Sequence, residues 1–140
     1  KCVPVKEIRD VFVAGRKFEY LKERMLGYEE LMKLPVMCLE GNTSTRTYVE
    51  QFLASKQVTI RPEFELATSD MLIQFAVRNL GIASVVRNFA VEHLKTGDLF
   101  ELRFSEEIPA RTFCIVANER IPLSAAAATL MNVLVQGTSQ

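Results

Sequence analysis

Residues 63–86, EFELATSDMLIQFAVRNLGIASVV, contain a strand, a helix and a second strand in succession. Phe64 and Leu66 alternate with Glu63 and Glu65, so the strand within RPEFELAT (61–68) has one face toward water or a partner, as at a sheet edge. In SDMLIQFAVRNL (69–80), Met71, Leu72, Phe75 and Ala76 recur at the spacing of one helical face. Ser69 is the expected N-cap, Asp70 suits the positive end of the helix dipole, and Gly81 suits the turn that ends the helix. GIASVV (81–86) is apolar almost throughout, which predicts a strand covered on both faces.

The same pattern extends outward. DVFVAG (10–15), PVMCLE (35–40) and TFCIVA (112–117) are further short apolar runs, while TYVEQFLASK (47–56) carries Tyr48, Val49, Phe52 and Leu53 as a helical stripe. Strand, helix, strand, helix, strand is the order of an α/β sheet with right-handed crossovers. PLSAAAATLMNVLVQG (122–137) predicts a last helix, capped by Ser124, with Leu130, Met131 and Leu134 on its apolar face.

Composition narrows the function. The 140 residues are 49% hydrophobic and 24% charged, in the range of a soluble globular domain. Seventeen basic side chains balance seventeen acidic ones, which leaves no electrostatic footprint for gripping a phosphate backbone unaided. Cys2, Cys38 and Cys114 are widely spaced in apolar surroundings and read as reduced core residues of a cytoplasmic protein. The single histidine, His93, has no cysteine at zinc-ligand spacing, so no metal site is expected. No stretch reaches the length of a membrane span, and KCVPVKEIRD lacks the apolar core of a signal peptide.

Two strand-to-helix junctions are rich in hydroxyls: LEGNTSTRT (39–47) and LATSD (66–70). Ligands of open α/β sheets bind beyond the carboxyl ends of strands, and a helix N-terminus there offers amides and a dipole to an anion. Thr43, Ser44 and Ser69 serve either as plain caps or as part of such a site. Arg46, in or beside the first helical turn, opposes the dipole; a bound anion would offset that, unless the side chain simply points into solvent. Catalytic signatures are lacking: there is no nucleophile elbow, Walker loop or dinucleotide fingerprint, His93 reads as an exposed helix end, and the pairs Glu29/Glu30, Glu63/Glu65 and Glu106/Glu107 read as solvated faces. No catalytic residue and no cofactor are expected.

VPVKEIRDVFVAG, YEELMKLPVMCLEGNTSTR, EFELATSDMLIQFAVRNLGIASVV and LKTGDLFEL, in that order, resemble the effector-binding domain of LysR-type transcriptional regulators. The resemblance runs over nearly the whole chain. It implies the type-2 periplasmic-binding-protein fold, an α/β architecture of two lobes joined by two crossover strands. Residues 10–117 would be one complete Rossmann-like lobe with its crossover strands (10–15 and 112–117), and 1–9 and 118–140 would be remnants of the other. It further implies a small effector, with an anion favoured by the helix-start argument, held by Thr43, Ser44, Thr45, Thr68 and Ser69. Regulators of this family form homo-oligomers, with the elements matching 45–55 and 62–67 against a partner subunit, and touch DNA only through a helix-turn-helix domain. That domain and the opening elements of the first lobe have no counterpart in this sequence, so part of the expected cleft lies outside it.

Two other functions fit the same scaffold: a solute-binding receptor of a transporter, against which the lack of a signal peptide and the reduced cysteines speak, and a cytosolic enzyme of the prephenate-dehydratase type.

Overall fold

The computed structural model describes residues 2–118 and 120–137. Its strands are β1 (Cys2–Ile8), β2 (Asp10–Ala14), β3 (Met25–Leu26), β4 (Val36–Leu39), β5 (Phe64–Leu66), β6 (Ile82–Val86), β7 (Phe100–Glu101), β8 (Arg103–Phe104) and β9 (Arg111–Val116). Its α-helices are α1 (Ser44–Ser55), α2 (Ser69–Val77), α3 (Val91–Thr96) and α4 (Ala125–Gly137), with 3-10 turns at Arg16–Leu21, Tyr28–Lys33 and Arg87–Phe89. The chain divides into two compact units: Arg9–Pro109, and the residues up to Ile8 taken with those from Ala110 onward. Residues 1, 119 and 138–140 of the expected first-lobe segments lie outside the described residues.

In the larger unit a five-stranded mixed sheet runs β5-β4-β6-β2-β7. β4 pairs in parallel with both β5 and β6, whereas β2 is antiparallel to β6 and β7. The order β4-α1-β5-α2-β6 is thus the alternation read from the sequence, and β5 is the edge strand. The apolar runs are continuous because each strand feeds two cores. Phe12 and Ala14 join Val36, Cys38, Ile82, Val49 and Leu53 on the α1 side. Val11 and Val13 join Met37, Ala83, Val85, Leu72, Ile73 and Ala76 on the α2 side.

The family resemblance implies a crossover strand at 10–15; Asp10–Ala14 lies inside this sheet, between β6 and β7, buried as its apolar run predicts. The strand that pairs with β9 is β1, antiparallel, from Cys2 opposite Val116 to Ile8 opposite Arg111, with an irregularity between Pro4 and Lys6. The difference has a simple origin. CVPVKEI mixes charge and proline and is mostly exposed or half-buried, so it lacks the apolar run that marks a core strand. In the same unit Ser124 Oγ accepts the Ala127 amide at 3.1 Å, the cap expected for α4.

Helix ends differ in detail from expectation. The N-cap of α2 is Thr68, whose hydroxyl accepts the Met71 amide at 3.2 Å; Ser69 is the first helical residue. Gly81 does not supply the helix-ending turn. That turn is made by Asn79 at φ +64°, with Asn79 N–H donating to Ala76 O and Leu80 N–H to Phe75 O. Gly81 is needed for space: a Cβ there would stand 2.6 Å from the Pro35 carbonyl oxygen.

Candidate functional site

β4 and β5 end side by side, the Glu40 amide donating to the Leu66 carbonyl at 3.0 Å. From that carboxyl edge the chain turns into α1 on one face of the sheet and α2 on the other. Both hydroxyl-rich junctions therefore lie at one edge of the sheet. The hydroxyls themselves are partly engaged. Thr43 Oγ1 accepts the Arg46 amide at 3.2 Å and donates to Glu40 O at 3.0 Å, so its one proton and one of its lone pairs are spent on capping α1. Thr68 Oγ1 caps α2. Ser44 is exposed and Ser69 half-buried, each at the first helical position, where the backbone N–H has no intrahelical acceptor. Thr45 is half-buried and lines, with Arg46, Phe12, Cys38 and Ser84, a cavity of about 20 Å³, room for roughly one water.

Arg46 departs from both readings of its role. Its side chain is only 11% exposed; Nε meets Glu50 Oε1 at 2.7 Å and Nη1 meets Glu65 Oε1 at 3.0 Å. Nη1 also donates to the Leu39 carbonyl at 3.2 Å. Burial works against the charge, but the hydrogen bonds to Glu65 and Glu50 outweigh it and hold the guanidinium pKa above its ordinary value. The charge that seemed to call for an anion is answered within the chain.

The carboxylates are likewise more than solvated faces. Glu30 accepts the Gly27 amide at 3.0 Å and pairs with Arg24, Glu106 pairs with Lys56, and Glu107 pairs with Arg9. His93 is half-buried rather than exposed, with Nδ1 3.5 Å from Asp98. Among the described residues no group of histidines, cysteines and carboxylates could hold a metal ion. Only Cys38 is a core cysteine; Cys2 and Cys114 are exposed, because they lie on the mostly solvent-facing strands β1 and β9.

A cleft that no sequence motif marks lies at the start of β2. It encloses about 250 Å³ among Arg9, Asp10, Tyr28, Glu101, Arg103 and Phe104. Tyr28 stacks on Phe104 with ring centroids 4.1 Å apart, and its hydroxyl donates to Glu106 O at 2.6 Å. Burial, then the charges of Glu106 and Glu107, push the phenol pKa up, so it stays a neutral donor. The elements that build this cleft are far apart in the chain, and no local spacing announces them. Thr43, Ser44, Thr45, Thr68 and Ser69 are not among the residues that line it.

A model of the LysR substrate binding domain matches residues 1–139. The chain belongs to that family. This LysR substrate-binding domain is 27% identical over 73 residues to the HTH-type transcriptional activator CmpR of a Synechocystis species, an alignment covering 52% of the chain and 24% of the activator. Its fold matches the CcmR regulatory domain of Synechocystis PCC6803 in complex with 2-PG (TM-score 0.85, 19% identity, 99% of this chain and 66% of that one). It also matches the effector-binding domain of QuiR in complex with shikimate (TM-score 0.80, 10% identity, 99% and 65%) and the regulatory domain of HypT from Salmonella typhimurium (TM-score 0.74, 19% identity, 99% and 65%). The chain therefore spans about two thirds of these structural relatives and has the type-2 periplasmic-binding-protein fold. No helix among its described residues is long and apolar enough to cross a membrane.

Proposed function

We propose that this LysR substrate-binding domain is the larger part of the ligand-sensing module of a transcriptional regulator, binding a small carboxylate-bearing effector at the carboxyl edge of β4 and β5. One observation carries the reading: the N-termini of α1 and α2 start from adjacent strand ends joined by the Glu40–Leu66 hydrogen bond. Two such termini supply amides and positive dipole ends to an anion without any side-chain cation. Ser44 and Ser69 contribute amides and hydroxyls; Thr43 and Thr68, committed as caps, hold the helix starts in place; Thr45, next along α1, offers a further amide. The complexes of CcmR with 2-PG and of QuiR with shikimate support a small-molecule effector for this fold.

In this reading β1 and β9 are the crossover strands, and residues outside this sequence complete the other lobe and the cleft. The whole regulator works in the cytoplasm as a homo-oligomer and reaches DNA through a separate helix-turn-helix domain. The chain is a receptor, not an enzyme.

The test is a thermal-shift screen of small organic acids on the regulator that carries this chain. A ligand at one hundred times its dissociation constant should add about 2.7 kcal/mol of stability. Ser44→Glu and Ser69→Glu each place a fixed anion at a first helical position, where it suits the dipole, and should abolish the shift while leaving the unliganded melting temperature nearly unchanged. Unchanged affinity for the responsive acid in both variants overturns the site.

A further inference from the structure

β1 and β9 bring two of the three cysteines together. Cys2 lies opposite Val116, and Cys114 lies opposite Pro4. Directly opposed residues in an antiparallel pair share a face, as do residues two apart on one strand, so Cys2 and Cys114 are diagonal neighbours on the same face. Both thiols are free and exposed. The neighbouring Cys2 thiol, chiefly through hydrogen bonding, pushes the Cys114 pKa up, as expected of two thiols on one face. The Thr112 carbonyl, 4.0 Å from the Cys114 Sγ, is a second acceptor for that thiol. Diagonal Cα atoms in a sheet are about 7–8 Å apart, and a disulfide needs about 4.4–6.8 Å, so closure draws the strands together by roughly 1 Å. The pairing is irregular between Pro4 and Lys6, immediately beside the pair, so the ladder there is already free of strict register.

We propose that Cys2 and Cys114 form an oxidisable dithiol site that closes to an intramolecular disulfide by exchange with a low-molecular-weight disulfide. One cysteine thiolate attacks a sulfur of oxidised glutathione and releases one glutathione thiolate. The second cysteine thiolate then attacks the mixed disulfide, forming the Cys2–Cys114 bond and releasing the second glutathione; the two cysteine protons end on the two departing thiolates or on water. Two cysteine thiols are oxidised and one glutathione disulfide is reduced. The bond encloses the whole Arg9–Pro109 unit in a covalent loop. Cys38, buried in the α1-side core, takes no part.

The test uses dilute protein exposed to oxidised glutathione, then denatured, alkylated with iodoacetamide and weighed intact. Reduced protein should take up three adducts, one for each cysteine in the sequence, and oxidised protein only one, with a peptide map linking Cys2 to Cys114. Cys38→Ser should go from two adducts to none. Cys2→Ser and Cys114→Ser should each gain a single glutathione and no internal link. Three adducts after oxidation, two glutathiones on one chain, or a covalent dimer in place of the internal bond would each overturn the proposal.

Discussion

The guanidinium of Arg46, in the first turn of α1, lies 3.0 Å from the carboxylate of Glu65 on the edge strand β5. With the Leu39 carbonyl and Glu50 as further acceptors, this one side chain ties a helix start to the ends of two strands. Glu50 and Glu65 are each about half exposed, at 55% and 51%, so solvent screens the ion pairs. Arg46→Ala should therefore cost about 1–2 kcal/mol, mostly through the lost charge-assisted bond to Leu39, and Glu65→Gln less than about 1 kcal/mol. Urea unfolding of the two single variants and the double variant measures the coupling. A full-size loss in Glu65→Gln would contradict this partition.

Thr43→Ala and Thr68→Ala each remove a hydroxyl that accepts a helix amide, and each should cost about 1 kcal/mol. Ser69→Ala, one residue inside the helix, should cost less than about 0.5 kcal/mol. Denaturant midpoints at constant m-value check the ranking; equal losses at Thr68 and Ser69 would return the cap to the serine.

Both long helices of the larger unit end on a non-glycine residue in the left-handed region, Gln57 at φ +62° and Asn79 at φ +64°. Their substitutions should nonetheless differ in sign. Gln57→Gly relieves a Cβ clash and should stabilise by about 0.5–1 kcal/mol. Asn79→Gly deletes the Oδ1 that accepts the Lys17 amide at 3.0 Å, and should destabilise by about 1 kcal/mol. Thermal melts of the pair decide it.

The Glu30 carboxyl is held below its ordinary pKa, chiefly by the Gly27 amide and, against the opposing effect of burial, by Arg24. A depressed folded-state pKa gives stability that is present above the unfolded value and is lost as pH falls through the folded one. The acid limb of the stability curve below about pH 4 should thus be shallower in Glu30→Gln. An unchanged slope in acid titrations of the two proteins would show that Glu30 contributes nothing to acid sensitivity.

Burial pushes the Cys38 thiol up to about 11. At pH 8 iodoacetamide should label the exposed Cys2 and Cys114 faster than Cys38, which reacts only when the core opens. Rapid labelling of all three in native protein would show that the α1-side core is open.

The α/β sheet was legible because its inner strands β2, β4 and β6 are buried on both faces and leave unbroken apolar runs such as 81–86. β1 was not, because a strand with little burial carries no such signature. The candidate helix starts were legible as clusters of hydroxyls, but which hydroxyl caps was not: Thr68 and Ser69 are chemically equivalent choices, and the local backbone selects between them. Arg46 shows the sharper limit. Its pairing with Glu50 follows helical spacing and the Leu39 carbonyl lies in the same strand-to-helix junction, whereas Glu65 reaches it only through the pairing of β4 with β5. The 250 Å³ cleft is likewise a product of tertiary assembly.

The two linings of the sheet differ in grain. One side holds the aromatics Phe12, Phe18 and Tyr28 among its buried residues, while the buried residues of the other are all aliphatic, with Ala76, Ala83 and Ala90 among them. A slip of β2 by one residue would exchange its faces, thrusting Phe12 among the alanines and leaving Val11 or Val13 to fill an aromatic's space. Side-chain size thus acts as a key that fits in only one way. A polypeptide whose strands are greasy on both sides, and so could pair in several alignments, is steered to a single one by the unequal bulk of what lies above and below.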